Sequence, residues 1–149
     1  MFQYTEDTSF LFQNSSKNIL GVAEAMVAGE IAYRRGEFDK AFEYLREAVR
    51  RDDGLNYDEP WGWMQPVRHA LGALLLEQGR LEESEAVYRE DLSKHPNNPW
   101  ALHGLAESHR RQGNTEEFKQ CRQKFTIASE RMDVKIDRSC YCRLETNEE

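Results

Sequence analysis

Residues 72–96, "GALLLEQGRLEESEAVYREDLSKHP", decide the fold of this chain because their pattern occurs again further along the sequence. Residues 105–125, "LAESHRRQGNTEEFKQCRQKF", align with them when Gly79 is placed over Gly113. These two glycines are 34 residues apart. Self-similarity at a fixed spacing of this kind indicates stacked copies of one structural unit.

The hydrophobic residues recur with the period of an α-helix. Residues 36–52, "GEFDKAFEYLREAVRRD", place apolar side chains along one helical stripe, at Phe38, Ala41, Phe42, Leu45, Ala48 and Val49. Residues 19–33 carry two such stripes, one through Val22 and Met26 and another through Ala25 and Gly29. No alternating pattern bounded by hairpin signals occurs, so the sequence predicts an all-α fold.

The stretch "HPNNPWALHG", residues 95–104, reads as a joint between two helices. Pro96 is expected to end the earlier helix. Asn98 followed by Pro99 matches a helix N-cap with proline at the first helical position, where the missing N–H costs nothing. His95 is then most simply a side chain beside a helix C-terminus.

Small residues and a closing proline stand at matched positions of the copies. They are Gly29, Gly36, Ala41, Leu45 and Ala48 in the first copy, and Gly72, Leu75, Gly79, Tyr88 and Pro96 in the second. This pattern resembles the tetratricopeptide repeat family over about residues 19–131, and it is weaker in the third copy, where Phe118 and Arg122 replace the pattern's alanine and leucine. The resemblance implies a right-handed α-solenoid of about three helix-turn-helix pairs.

The resemblance also suggests how the chain is divided. We expect a repeat domain over residues 15–132, with units at about 15–52, 60–96 and 98–131 and an insertion at about 53–65. Residues 1–14 form an N-terminal segment that covers the first unit or is the remnant of an earlier helix. Residues 133–149 form an irregular polar tail. With "SCYCR" in that tail, the chain is similar to the C-terminal portion of longer tetratricopeptide proteins of bacteria and fungi, as a fragment or a short paralogue would be.

The insertion concentrates aromatic residues around two prolines. It carries Tyr57, Trp61, Trp63 and Met64, and such side chains are enriched in the cores of interfaces. Two interpretations remain open, a binding surface or tryptophans that fold back over the gap between units. Pro60 is expected in the first turn of the next helix, while Pro66 either kinks that helix or marks its true start.

The resemblance implies a binding groove, because the first helix of each repeat lines the concave face of such arrays. The family's groove positions fall on Met26, Glu30, Tyr33, His69, Ala73, Leu76, Trp100, His103, Glu107 and Arg110. His69 and His103 are 34 residues apart, which is one repeat, and should lie on neighbouring repeats of the same face. The alternative for His103 is a structural role without ligand binding, in an ordinary i, i+4 helical pair with Glu107.

The charges of the groove indicate its ligand. Met26 and Glu30 stand where the family's carboxylate clamp needs a lysine and an asparagine, so chaperone C-termini are rejected as ligands. Acidic residues at one end of the groove, and Arg110 and Arg111 at the other, favour a peptide of mixed or partly basic character.

The C-x-C motif near the C-terminus provides two thiols that could bind a metal ion. Cys140 and Cys142 can both reach one zinc or copper ion, with His69 and His103 as further candidate ligands. From a helix end near Met132, ten extended residues span roughly 30 Å, so the tail can reach the groove. The alternative is a surface tail without a function.

Composition excludes several classes of function. A net charge of −7 opposes binding to nucleic acid or anionic membranes, and no apolar run approaches the roughly 20 residues of a spanning helix. No secretory signal precedes the three cysteines, so we expect free thiols in the cytoplasm. No nucleophile motif or phosphate-binding loop occurs, and the sequence predicts neither an enzyme nor a required cofactor.

The sequence therefore predicts an adaptor or scaffold module that binds a protein or peptide on its concave face. One alternative is a metal-binding or thiol-redox module built on Cys140 and Cys142. Another is a structural module that assembles with itself into a homo-oligomer.

Overall fold

The computed structural model describes residues 9–143 of the chain. In this part the elements are β1 (Phe10–Leu11), β2 (Asn14–Ser15), α1 (Ser16–Arg34), α2 (Phe38–Asp53), α3 (Val67–Glu77), α4 (Leu81–Lys94), α5 (Pro99–Gln112) and α6 (Thr115–Ser129). The two strands form one small antiparallel hairpin, and the predicted all-α class is confirmed. None of the described helices is long and apolar enough to cross a membrane.

The chain divides into two compact units, with the boundary between Val67 and Arg68. The first contains the hairpin, α1, α2 and the insertion. The second contains α3 to α6 and the described part of the C-terminal tail, while residues 1–8 and 144–149 of the predicted terminal segments lie outside the described residues.

The core of the first unit lies between α1 and α2. Tyr33 packs edge-on against Phe42, with 6.1 Å between the ring centroids, and both side chains are fully buried. Gly29 of α1 lies against Leu45, where an added Cβ would be 2.7 Å from the leucine Cγ. The expectation that Gly29 marks a helix crossing is therefore confirmed.

The hairpin is tied to the insertion by two asparagines. The Asn14 amide donates to the carbonyl oxygen of Asn56 at 3.0 Å, and the Asn56 N–H donates to Asn14 Oδ1 at 2.7 Å. The Gln13 N–H donates to Asp58 Oδ2 at 3.0 Å. These bonds connect residues more than 40 positions apart in sequence, so the described part of the N-terminal segment has a fixed place in the first unit.

The insertion does not extend the next helix backwards. Residues 54–66 are irregular, and α3 begins at Val67, directly after Pro66. The prediction that Pro60 lies in the first turn of this helix is therefore wrong. Pro66 therefore marks the start of α3 and does not kink a longer helix.

The core of the second unit is organised around Tyr88 of α4. This fully buried ring lies between Gly72 of α3 and Gly104 of α5. A Cβ at Gly72 would be 2.7 Å from the tyrosine Cζ, and one at Gly104 would be closer still. Since no side chain fits at either position, the two glycines allow three helices to share one aromatic ring.

The turns inside the helix pairs repeat the same conformation. Gly36, Gly79 and Gly113 have φ angles of 77°, 72° and 78°, in the left-handed region that glycine adopts without steric cost. Gly79 and Gly113 are the glycines that the sequence alignment superimposes, and Gly36 stands at the matched position of the first copy. The repeat register derived from the sequence is therefore present in the backbone.

The joint before α5 is built as predicted. Asn98 is the N-cap, its Oδ1 accepts a hydrogen bond from the Trp100 N–H at 3.2 Å, and Pro99 follows at the first helical position. His95 is the C-cap residue of α4. The stretch 95–104 is therefore a helix joint.

We predict that Gly104→Ala destabilises the chain by about 1–3 kcal/mol, because the added methyl group overlaps the enclosed Tyr88 ring. Gly21→Ala is the matched control, since Gly21 also lies inside a helix but its added Cβ would meet only Arg51, at 3.5 Å. Without a clash, alanine in a helix is favoured over glycine by roughly 0.5–1 kcal/mol. Urea unfolding measures both changes, and a Gly104→Ala chain as stable as the wild type would contradict this packing.

Candidate functional site

The predicted groove residues of α1 lie mostly inside the first unit. Met26 and Tyr33 are 2% and 1% exposed, and only Glu30 is half-buried. The neighbouring side chains Val27 and Ile31 are 56% and 47% exposed instead. Because successive residues are about 100° apart around a helix, the accessible face is displaced by one residue from the predicted one.

Val27 and Ile31 line a surface pocket of about 490 Å³. Its walls are formed by Met26, Val27, Glu30, Ile31, Arg34, Arg35, Trp63 and Gln65. The pocket combines one predicted groove helix with one residue of the predicted insertion surface. Sequence analysis missed Val27 and Ile31, although with Leu20 they give α1 a third apolar stripe, and an excess of apolar faces on one helix was the available signal.

The aromatic residues of the insertion have different environments. Tyr57, Trp61 and Met64 are 76%, 56% and 64% exposed. Trp63 is half-buried against α1, and its enclosed indole N–H makes no hydrogen bond within the described residues. Trp63 therefore folds back onto a helix of the first unit, whereas Trp61 stays at the surface.

In the second unit, the predicted groove residues of α3 are buried. His69, Ala73 and Leu76 are 7%, 0% and 1% exposed. The Asn98 amide donates to His69 Nε2 at 2.8 Å and to Asp91 Oδ2 at 2.9 Å. Asp91 is itself buried, so this amide satisfies two buried polar side chains while its oxygen caps α5. In this structure His69 holds α3, α4 and α5 together.

His103 is in a different environment from His69, although the period makes them equivalent. Its ring is half-buried and packs edge-on against Phe125, with 5.6 Å between ring centroids. Its enclosed Nδ1 has no hydrogen-bond partner within the described residues. Burial lowers the pKa of His103, and the nearby Arg122 guanidinium lowers it further.

Glu107 is paired with the arginines that were expected at the other end of the groove. Its carboxylate accepts hydrogen bonds from Arg110 Nε and from Arg111 Nε, each at 2.7 Å. Burial alone would raise the pKa of this carboxyl, but the two guanidinium groups outweigh it and lower the pKa to about 2. The structure thus places Glu107 and Arg110 in one ion-pair cluster, and Arg110 is the exposed member.

The C-terminal tail covers the face of α3 and α5 that lies opposite α4. The Tyr88 side chain extends from α4 between Gly72 and Gly104, and its hydroxyl is hydrogen-bonded to the hydroxyl of Ser139. Cys142 Sγ lies 3.9 Å from the carbonyl oxygen of Ala70 in α3. The tail is irregular, as predicted, but part of it is packed against the predicted groove.

The candidate metal ligands are not brought together. Cys140 and Cys142 are joined to each other as a disulfide, and His69 is bonded to Asn98. In the part of the chain that the structure describes, no three His, Cys, Asp or Glu side chains form a group that could hold a metal ion. The third cysteine, Cys121, is buried, and burial raises the pKa of its thiol.

The glycine turns of the helix pairs are in register, small residues lie at the helix crossings, and a pocket is accessible on a first helix. These features define a helical-repeat protein. The tetratricopeptide repeat family model matches residues 22–56 and 69–118, which is more than half of the chain. The chain belongs to the tetratricopeptide repeat family. This membership implies a helical solenoid, and the repeats of the family are generally protein–protein interaction modules and typically non-enzymatic scaffolds.

The sequence has no match among curated proteins. The family match ends at residue 118, inside α6, where Phe118 and Arg122 depart from the repeat pattern. Cys121 is the one residue of α6 that is buried. The tail that follows lies outside the match, so its place on the second unit is a feature of this chain.

We predict that Asn98→Ala lowers the free energy of unfolding by roughly 2–4 kcal/mol, because it removes a helix cap and leaves His69 and Asp91 without their shared donor. Asn98→Ser is the matched control, since its hydroxyl can cap α5 but cannot bond both side chains, and about half of that loss is expected. Thermal and urea unfolding measure both variants. Equal losses would contradict the buried network.

We predict that the second unit becomes less stable when the pH falls below the ordinary histidine pKa of 6.5. The pKa of His103 is lowered in the folded chain, so the unfolded chain binds this proton more tightly. The stabilisation is therefore fully present above pH 6.5 and is lost as the pH falls towards the folded pKa. Urea unfolding between pH 7.5 and 5 should show a shallower pH dependence for His103→Gln. An NMR titration giving the folded His103 ring a pKa of 6.5 or above would refute the assignment.

Proposed function

We propose that this chain is an adaptor or scaffold module that binds a segment of another protein in the pocket between α1 and Trp63. Membership of the tetratricopeptide repeat family supports an interaction role. The pocket adds a specific surface, because it lies on the first helix of a repeat, which is the helix that the family resemblance assigns to ligand binding.

The exposure of Val27 and Ile31 is the observation that carries the proposal. Large apolar side chains that stand side by side on one helix are hydrated in the free chain. Each is about half exposed, so covering both contributes on the order of 1.5–3 kcal/mol in total. Together with Trp63, they form an apolar patch of the composition that is enriched in interface cores.

The pocket lining also indicates the chemistry of the partner. Glu30, Arg34 and Arg35 contribute one negative and two positive charges to its walls, so the local charge is positive although the whole chain carries −7. The Arg34 guanidinium carbon lies 5.9 Å from the centroid of the Tyr33 ring, and both Arg34 and Arg35 are exposed. A fitting partner segment inserts an apolar side chain and places a carboxylate near Arg35.

This assignment refines the predicted groove. Trp100, His103, Glu107 and Arg110 of α5 are the predicted groove residues of the second unit that keep accessible surface. We propose that they belong to a second binding surface, which the tail covers.

We predict that Val27→Lys weakens the binding of peptides selected on this chain from a phage-displayed random library by at least tenfold. The charged side chain replaces an apolar wall of the pocket. Leu20→Lys is the matched control, because Leu20 is 44% exposed on the same helix but does not line the pocket. Fluorescence anisotropy measures affinity, and circular dichroism verifies that both variants fold. Equal affinities of the two variants, or no enriched peptide at all, would contradict the proposal.

A further inference from the structure

We infer that the face of α3 and α5 is a peptide-binding groove, and that residues 134–143 of the chain are its resident, displaceable ligand. The inference rests on the proposed function in that it treats the first-helix face as a binding surface. It goes beyond the α1 pocket, because it assigns a second surface, the segment that occupies it and the residue pattern that the surface accepts.

Several side chains of the segment are buried. Ile136, Ser139, Cys142 and Arg143 are 8%, 2%, 8% and 7% exposed, whereas Val134 and Tyr141 are 56% and 67% exposed. The segment forms neither helix nor strand, and it contains bends at residues 137–139 and a turn at 141–142. Buried side chains, and not a regular backbone, therefore hold the segment on the second unit.

The central position of the segment is recognised by a specific polar contact. Ser139 is hydrogen-bonded to the hydroxyl of Tyr88, which is the polar end of the ring that three helices enclose. Burial raises the pKa of Tyr88, so the phenol stays protonated and can act as donor. Ser139 is 2% exposed, so its small side chain is enclosed at this point.

The two ends of the segment have different characters. Ile136 places an apolar side chain on the groove, while Arg143 is 7% exposed beside the disulfide of Cys140 and Cys142. Charged groups of both signs act on His103. Glu107 of α5 and Arg122 of α6 belong to the helices, and Asp137 and Arg143 belong to the segment. The groove therefore holds a segment with a buried apolar residue and a small hydroxyl residue three positions later.

The segment has no helix or strand of its own. Segments of this kind open locally at lower cost than the helices beneath them. Attachment to the chain gives the segment an effective concentration of the order of millimolar, so a free peptide of equal contacts competes poorly with it. Weakening the attached segment should then raise the apparent affinity for a free one.

The test uses the full chain and a fluorescent synthetic peptide of residues 133–143 with its disulfide formed. We expect Ile136→Asp in the full chain to bind this peptide at least tenfold more tightly than the wild type, because a charge at a buried position weakens the attached segment. Val134→Asp is the matched control, since Val134 is exposed, and it should behave as the wild type. Equal affinity in all three chains, or no binding to any, would overturn the inference.

A second measurement on the wild-type chain guards against a variant that fails to fold. Amides of residues 134–143 should exchange with deuterium faster than those of α3 and α5, by local opening. Exchange of the segment only together with these helices would mean a permanent cap and would overturn the inference. So would light scattering that showed a dimer lost on Ile136→Asp, because the segment would then bind a second copy.

The two proposals fail separately. Binding of the 133–143 peptide to Ile136→Asp does not involve Val27, so a failed library selection would reject the α1 pocket and leave the groove assignment standing. Library peptides that need Val27, with no binding of the 133–143 peptide, would reject the groove assignment alone.

Discussion

The second unit depends on the placement of one aromatic ring. Tyr88 crosses from α4 between Gly72 and Gly104, and its hydroxyl reaches the far side, where it meets Ser139. The absence of two side chains makes the close approach of three helices possible, and the ring then fills the space. One residue thus connects the helix packing inside the unit with the segment that covers its outer face.

The features that depend on local sequence could be predicted. The 34-residue spacing of Gly79 and Gly113 identified the turns, because a left-handed residue at a helix end favours glycine whatever surrounds it. The cap formed by Asn98 and Pro99 follows equally local rules. The predicted helix pairs, their register and the family membership required no knowledge of tertiary packing.

The candidate site was predicted less well because it depends on contacts between distant residues. The resemblance identified α1, α3 and α5, but it assigned Met26 to the accessible face where Val27 lies. His69 and His103 occupy equivalent repeat positions, yet Asn98 bonds only the first of them. The tail could be expected to reach the groove from its length, whereas its weakly apolar sequence gave no sign of which side chains would be buried.

In the proposed function, the first-helix faces are binding surfaces, open on α1 and covered on α3 and α5. Its most direct test is hydrogen exchange of Tyr88→Phe, which keeps the ring between the glycines and removes only the hydroxyl. Loss of one hydrogen bond, worth roughly 0.5–1.5 kcal/mol, should speed exchange of residues 134–143 by about two- to tenfold and leave α3 and α5 unchanged. Unchanged exchange in the tail, or faster exchange throughout the unit, would contradict the claim that this contact holds a separable ligand.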